Sequence, residues 1–562
     1  MGDSNADYIF ENLVPDSISL KKSSLKTNYS TITDITQGQN YQSGLVNYTN
    51  VSLQSTDDGS FFDLSNAFAQ VQMTYTLTIT NGTFLDASSN NPFPSNINAV
   101  TKKSDSHFIH NSWIKMAGIE VTQNNGAGYQ NLYINEKKKQ RNPNLSYLDN
   151  EMEQFYLDSA DSYQYDGVSL EANNSSDTAG TYNKAIYQRN KYYFDIVSSP
   201  LLKFVNTASM AQYYYPYFQN ATTANPSQLQ WFDVLTIPLR DIHDIFEKAP
   251  PLLRLSGMEV KIQYNAGSAV SYTCTLNTAN DAIATENVIM GNGGTFPLML
   301  SSVGNTGTSA LRFTPLTAGT ACTFTLTCQI GWASNVSPTR ILIPYFKLSE
   351  NTLTKISDQR IYKFPVRHCE LDTTINGVTG NSNVVRVLNT HYRSIRKIWL
   401  LPFFSTQNTL SGTNILAPYQ NPRSSAPNTI SVLRLKNVNI SVGGRTYFSQ
   451  ESLNTPAQFY NENFYRLNSQ NWSTGNQTQN PLKSGMILKS DWLKCYGAYE
   501  FDLNTCDTDA EDLTLKSIGL SFLMDGMQTY KYDFYILIEC EKNYTMDAIE
   551  CTLQDLTLVT QG

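Results

Sequence analysis

Charge and histidine are both scarce in this 562-residue chain. Only 16% of its residues are Asp, Glu, Lys or Arg, five are His, and the formal balance is -8 with a pI near 5.3. Affinity for phosphate backbones comes mostly from Lys and Arg, so this balance excludes a free-standing nucleic-acid binder. Long apolar runs are missing as well: no stretch reaches the roughly 18 residues that a membrane-spanning helix needs. The opening "MGDSNADYIFENLVPDSISLKK" carries acidic residues and no uninterrupted apolar region, so neither a secretory signal nor a transit peptide is expected. Gly2 suits a myristoylation start, but Ala6 stands where Ser or Thr is wanted. The eight cysteines are therefore expected to be reduced thiols, with Cys322 and Cys328 in phase with apolar neighbours and so in the core. Sequons such as Asn81-Gly-Thr and Asn471-Trp-Ser follow from a composition rich in Asn, Ser and Thr and carry little meaning in that setting.

Signatures of catalysis are also absent. There is no G-x-S-x-G elbow, no phosphate loop, no G-x-G-x-x-G after a strand and no H-E-x-x-H. His107 and His110 lie three apart in "SHFIH" and read as a polar strand face rather than metal ligands. His368 and Cys369 are adjacent, so on a strand they point to opposite faces and make a poor catalytic pair. The acidic run Asp507, Asp509, Glu511 and Asp512 lacks the ordered loop and terminal Glu of a calcium site and reads as a solvated turn. The basic run Lys137, Lys138, Lys139 and Arg141 reads as a solvated helix face or a partner for a neighbouring subunit. No catalytic, cofactor-binding or metal residue is assigned, no cofactor is expected, and nothing demands an enzyme.

What is present is a strand-and-turn palette: 12% aromatic residues, 34 Tyr, and abundant Asn, Thr and Ser. In "FAQVQMTYTLTIT" Val71, Met73, Tyr75, Leu77 and Ile79 alternate with Gln and Thr, the period of a half-buried strand. The same period recurs in "GMEVKIQYN", "CTFTLTCQIGW", "NVNISV" and "SIGLSF". Continuous apolar runs and long helical crossovers are mostly missing, so the expected class is all-β, built from antiparallel sandwiches. Helical candidates fall in connections, at 132–158, at 237–249 and at 456–467, while 165–185 reads as an exposed loop. The two halves are weakly alike. "KMAGIEV" places Lys115, Ile119 and Val121 at the spacing at which "KNVNISV" places Lys436, Ile440 and Val442, and the order of elements repeats, which suggests two β domains in tandem.

The stretch "IPLRDIHDIFEKAPPLLRLSGMEVKIQYN" interrupts this pattern. Pro238 suits a first helical turn, Asp241 and Asp244 suit the positive end of a helix dipole, and Leu239, Ile242, Ile245 and Phe246 form one apolar stripe. Pro250 and Pro251 end it. A short amphipathic helix feeding a strand is expected, with His243 as a surface residue beside Glu247, because two ligands one turn apart fall short of a zinc site.

This stretch, together with "ASNVSPTRILIPYFKL", "KIWLLPFF" and "APNTISVLRLKNVNISVGGRTYF", resembles the major capsid proteins of polintons, polinton-like viruses and virophages. The resemblance covers most of the chain from about residue 48. It implies a double jelly roll, two tandem eight-stranded antiparallel barrels over 48–345 and 346–562, preceded by an N-terminal arm at 1–47 that reads as polar and aperiodic. It places the helix in a long connection of the first barrel. Arg340, Pro344 and Tyr345 would close that barrel, and Asn439, Val442 and Arg445 would belong to the second. It implies a structural role in the virion: a homotrimeric, pseudo-hexameric capsomer of an icosahedral shell, assembled inside the host cell. Its partners would be neighbouring capsomers and penton and minor capsid proteins, with no membrane span and no sequence-specific nucleic acid. The rival reading is a β-sandwich carbohydrate-binding protein or glycosidase, which would need a carboxylate pair in a cleft lined with Trp or Tyr.

Overall fold

The computed structural model describes residues 28–33, 45–49, 60–83, 97–101, 109–121, 217–219, 227–250, 252–255, 257–264, 269–276, 281–283, 298–302, 311–315, 317–330, 339–347, 354, 357, 360–388, 395–404, 435–446, 458–460, 498–503, 517–524 and 531–556. Strands dominate. In the first half they are β1 (Asn28–Thr33), β2 (Leu45–Thr49), β3 (Ser60–Phe62), β4 (Phe68–Thr80), β5 (Gly82–Thr83), β6 (Ile97–Thr101), β7 (Ile109–Met116), β8 (Ile119–Glu120), β9 (Tyr217–Gln219) and β10 (Ser227–Pro238). Two helical turns, α1 (Leu239–Ile242) and α2 (Ile245–Lys248), come next. They lead to β11 (Glu259–Tyr264), β12 (Ala269–Leu276), β13 (Asp281–Ile283), β14 (Leu298–Ser302), β15 (Leu311–Pro315), β16 (Thr320–Ile330) and β17 (Arg340–Lys347). The second half holds β18 (Ile361–Val378), β19 (Asn383–Leu388), β20 (Ile395–Phe404), β21 (Leu435–Val442), β22 (Arg445–Thr446), β23 (Tyr499–Asp502), β24 (Ile518–Met524), β25 (Tyr532–Asp547) and β26 (Thr552–Asp555).

The order of pairing defines the architecture. In the second half one sheet runs β18-β25-β20-β23 and the other β19-β24-β21-β22. Counted along the chain as strands one to eight, these are the orders 1-8-3-6 and 2-7-4-5, with every described pairing antiparallel. The first half repeats this. Its sheets run β1-β17-β4-β10-β9 and β2-β11-β7-β8; counting β1, β2, β4, β7, β8, β10, β11 and β17 as the eight barrel strands, and the others as additions, gives 1-8-3-6 and 2-7-4-5 again. Two sheets interleaved in this way form a jelly roll, so the chain is a double jelly roll. The fourth and fifth strands of each half are joined by a two-residue hairpin. Its central residues take positive φ, Ala117 and Gly118 in the first half and Gly443 and Gly444 in the second, as the strand twist requires.

Alternation builds the cores. On β11 Val260, Ile262 and Tyr264 are buried between half-buried Glu259, Lys261 and Gln263. On β24 Ile518, Leu520, Phe522 and Met524 are buried in the same rhythm. One apolar cluster fills the first jelly roll, and a second, around Trp399, Phe522, Phe534 and Ile538, fills the other. Cys322 and Cys328 are both fully buried, as strand phase predicts. Cys322, Cys328, Cys369, Cys540 and Cys551 are free thiols.

Three expectations need correction. Residues 28–33, read as part of an aperiodic arm, form β1, which pairs with β17 along its whole length, and Leu45 to Asn47 belong to β2 against β11. The first jelly roll therefore begins before residue 48. The signal was hidden because "NYSTIT" is a mostly polar strand that places one side chain, Ile32, in the core and is otherwise tied down by its ladder to β17. The matched letters of "KMAGIEV" and "KNVNISV" also lie out of register: the first crosses the β7–β8 hairpin, whereas the second stays within β21. The repeat is real in strand order, not in those residues. Finally, the helix at 237–249 is two separate turns, broken at His243, whose φ of -156 and ψ of 136 are extended. The candidates at 132–158 and 165–185, the first 27 residues, and most of 456–467 lie outside the described residues; 458–460 are helical.

Candidate functional site: the joint between the jelly rolls

The stretch 239–255 connects the sixth and seventh strands of the first jelly roll, and it is here that the two jelly rolls meet. Leu239, Ile242, Ile245 and Phe246 are all buried. The cluster they enter is shared across the joint: Phe364 and Val366 of β18, Tyr544 and Met546 of β25, and Ala548, Cys551 and Leu553 beyond it belong to the same core. Phe364 and Tyr544 stack with ring centroids 6.3 Å apart. An apolar stripe with a partner surface on both sides explains why an antiparallel protein interrupts itself at this point.

Backbone bonds fix the segment to both halves. On the first side Leu239 N–H donates to Ala67 O at 2.9 Å, and Leu253 exchanges bonds with Phe62 at 2.8 and 3.2 Å. Toward the second, Arg254 N–H donates to Ala548 O and Ala548 N–H to Arg360 O, both at 2.8 Å. The Asp244 carboxylate accepts from Arg367 N–H at 2.9 Å, a charge-assisted bond that crosses the joint. The Arg254 guanidinium lies over the Phe61 ring, 5.7 Å from its centroid. Ion pairs decorate the rim: Arg367 and Arg396 hold Glu541 at 3.2 and 2.7 Å, and Arg360 holds Asp547 at 3.2 Å. Half-exposed pairs of this kind contribute little each, so the apolar contact and the buried backbone bonds hold the joint.

His243 occupies the centre of this joint rather than the surface, where the sequence put it. It is 2% exposed. Its Nδ1 accepts from Ile245 N–H at 3.1 Å, while Nε2 is buried without a hydrogen-bond partner. Burial, then the nearby positive groups of His368 and Lys542, push its pKa down to about 3. Glu247 points away and pairs with Lys248 at 3.2 Å, so the pair one turn apart makes no site. Sequence reasoning missed the joint role of His243 because its burial comes from strands more than 100 positions away. The apolar stripe on both sides of it was the available signal.

The other histidines and acids divide between placed and undescribed. His368 lies in β18 with Nε2 2.9 Å from Glu370 Oε1, both buried. Cys369 faces the other way, opposite Glu539 in register, as adjacent strand residues must. His110 lies in β7; His107, the acidic run at 507–512 and the basic run at 137–141 fall outside the described residues. Among the described residues no group of three or more His, Cys, Asp or Glu is arranged to hold a metal. Two carboxylates do sit near a tryptophan. Glu539 accepts from Trp399 Nε1 at 3.3 Å, and Glu500 binds Lys397 Nζ at 2.8 Å, but both acids are buried to 1% exposure or less and already engaged. They line no cleft of the kind a glycosidase needs.

No family model and no curated protein matches this chain. Among solved structures, it is similar to the Sputnik virophage structure determined by cryo-EM, at 12% identity over 96% of this chain and 92% of that one, with a TM-score of 0.48. It is similar to the mavirus major capsid protein at 10% identity over 98% and 97%, with a TM-score of 0.43. It is also similar to the Faustovirus major capsid protein at 9% identity over 94% and 92%, with a TM-score of 0.41. The jelly-roll assignment stands on the strand pairing itself, independently of these likenesses.

Proposed function

We propose that this chain is the major capsid protein of an icosahedral virus, acting through self-association and not through catalysis. The observation that carries the reading is the duplication: two jelly rolls with identical strand order, joined through one continuous apolar cluster within a single chain. Jelly rolls are recurrent in viral shells and in lectins. A tandem pair, each with its own core and joined by the first core's reach into the second jelly roll, supplies two similar rigid walls per chain, the element a shell needs, whereas a sugar-binding module needs an open aromatic cleft. Residues 28–347 form the first wall and 361–555 the second in this proposal.

Three copies around a threefold axis then place six similar walls in a ring, a pseudo-hexamer that tiles a shell while the chains stay identical. The interface is head-to-tail and closes on itself, which prevents open fibres. Neighbouring capsomers, and penton and minor capsid proteins, complete the shell in the virion. Analytical ultracentrifugation over a wide concentration range tests the reading. The expected species is three times 63.0 kDa, about 189 kDa, with an interface on the order of 2,000 Å² or more per contact. A 63.0 kDa species at every concentration, with no trimer and no shell in electron micrographs, overturns it.

A further inference from the structure

His243 sits in a setting built for a neutral imidazole. Its Nδ1 accepts from Ile245 N–H, so the neutral ring carries its proton on Nε2, which is buried without a partner, and a second proton can enter only at Nδ1 by displacing the Ile245 bond. The charged groups around it offer no counter-ion. From the second jelly roll the groups facing it are His368 of β18 and Lys542 of β25, both of positive sign when charged. The carboxylates of the joint are committed elsewhere: Asp244 to Arg367 N–H, Glu370 to His368, Glu541 to Arg367 and Arg396, and Glu247 to Lys248. Asp241, on the same segment, is buried and engaged as well. A proton on His243 therefore has neither water nor an anion to stabilise it while the joint stays closed.

We propose that His243 is an acid-sensitive latch between the two jelly rolls: acidification favours parting of the 239–249 segment from β18 and β25, because only the open joint lets the imidazole take up a proton and reach water. The proposal rests on the joint alone and not on the capsid role, so the trimer experiment and the one below can fail separately.

The sign and size follow from linkage. Within the closed joint the imidazole is held down to about 3, against 6.5 for the ordinary group. Its contribution is whole above the ordinary value and is lost progressively as pH falls from 6.5 toward 3. For one proton taken up only on opening, the opening equilibrium rises about 30-fold between roughly pH 7.4 and pH 5.

Hydrogen exchange of the full-length protein, corrected for intrinsic exchange rates, reads this directly. The reporters are the amides of Arg254, Arg367 and Ala548, which are bonded across or beside the joint, with the interior amides of β24 as the internal standard. In the wild type, opening at the reporters should rise about 30-fold over this range relative to β24. His243→Asn keeps a side-chain acceptor for Ile245 N–H but takes up no proton, so its reporters should stay level with β24. Absence of the rise in the wild type, or an equal rise in a folded His243→Asn protein, overturns the proposal. A second measurement needs no variant: deuterium exchange at the histidine C2 position of the native protein reports each imidazole's titration. His243 untitrated down to about pH 4 is the expected result, and titration near 6.5 in the native state refutes the latch.

Discussion

Met546→Ala tests whether the two jelly rolls share one core or merely touch. Met546 is 0% exposed on β25, opposite Tyr362 of β18 and Leu553 of β26, and belongs to the cluster that also holds Leu239, Ile242 and Phe246 of the first jelly roll. Truncation removes three heavy atoms from a site walled by two antiparallel ladders, which cannot collapse freely to refill it. Buried Met→Ala changes cost about 2–5 kcal/mol, transfer and cavity terms together, and the rigid walls place this one near 3 kcal/mol. Ile536→Ala is the control, since Ile536 is equally buried on the same strand but belongs to the second cluster. Urea unfolding gives the global loss, and hydrogen exchange at β11 and β18 shows where it falls. Met546→Ala should lower protection in both jelly rolls, and Ile536→Ala in the second only. A global loss under about 1 kcal/mol, or a Met546→Ala effect confined to β18, refutes the shared core.

Cys322, Cys328, Cys369, Cys540 and Cys551 should be unreactive in native protein and titrate fully once it is denatured without reductant. Burial pushes the thiol pKa up at Cys328 and Cys540, so neither forms thiolate readily; rapid native labelling at either position contradicts their burial. Gly519→Ala should destabilise by about 1–3 kcal/mol, because a Cβ there would lie 2.6 Å from Ser441 Oγ. Thermal melts of Gly519→Ala with and without Ser441→Ala check this, and relief in the double variant is expected because only the hydroxyl obstructs. Trp399→Phe keeps a ring in the second core but removes the N–H that Glu539 accepts, leaving a buried carboxylate short of one donor. The expected cost is about 1–3 kcal/mol by denaturant unfolding, and an unchanged midpoint would show that the bond contributes nothing.

Much of the fold was legible from period alone. Val260, Ile262 and Tyr264, and Ile518, Leu520 and Phe522, alternate because one face of each strand is buried and the other is not, and that rule is local. Arg340, Pro344 and Tyr345 do lie in the closing strand of the first jelly roll, and Asn439, Val442 and Arg445 in the second. Strands with a sparse apolar face escaped: Asn28–Thr33 sends Ile32 into the core but is otherwise held by its ladder to β17, and pairing partners 307 to 317 positions apart leave no local trace. The joint was half visible. Its apolar stripe could be read, but whether His243 met water or the other jelly roll depended on the long-range placement of β18 and β25. The break at His243 was hidden too, since the i, i+4 pattern is as consistent with two linked turns as with one helix.

The sharing of one edge of β4 has a mechanical consequence. Its first residues, Phe68 to Gln70, pair with β17 in the barrel, while Met73 to Thr80 pair with β16, which carries β12 on its far side. Along its opposite edge β4 is zipped to β10 for its first twelve residues. The strand pair built from β12 and β16 is thus an outrigger on a strand that already belongs to the barrel wall, and it adds no separate foundation. A push or pull at its tip runs lengthwise down β4 and loads the β4–β10 ladder in shear, where many hydrogen bonds must fail together, instead of peeling them one at a time. Sequence between these strands can lengthen or change without disturbing the girder on which they stand.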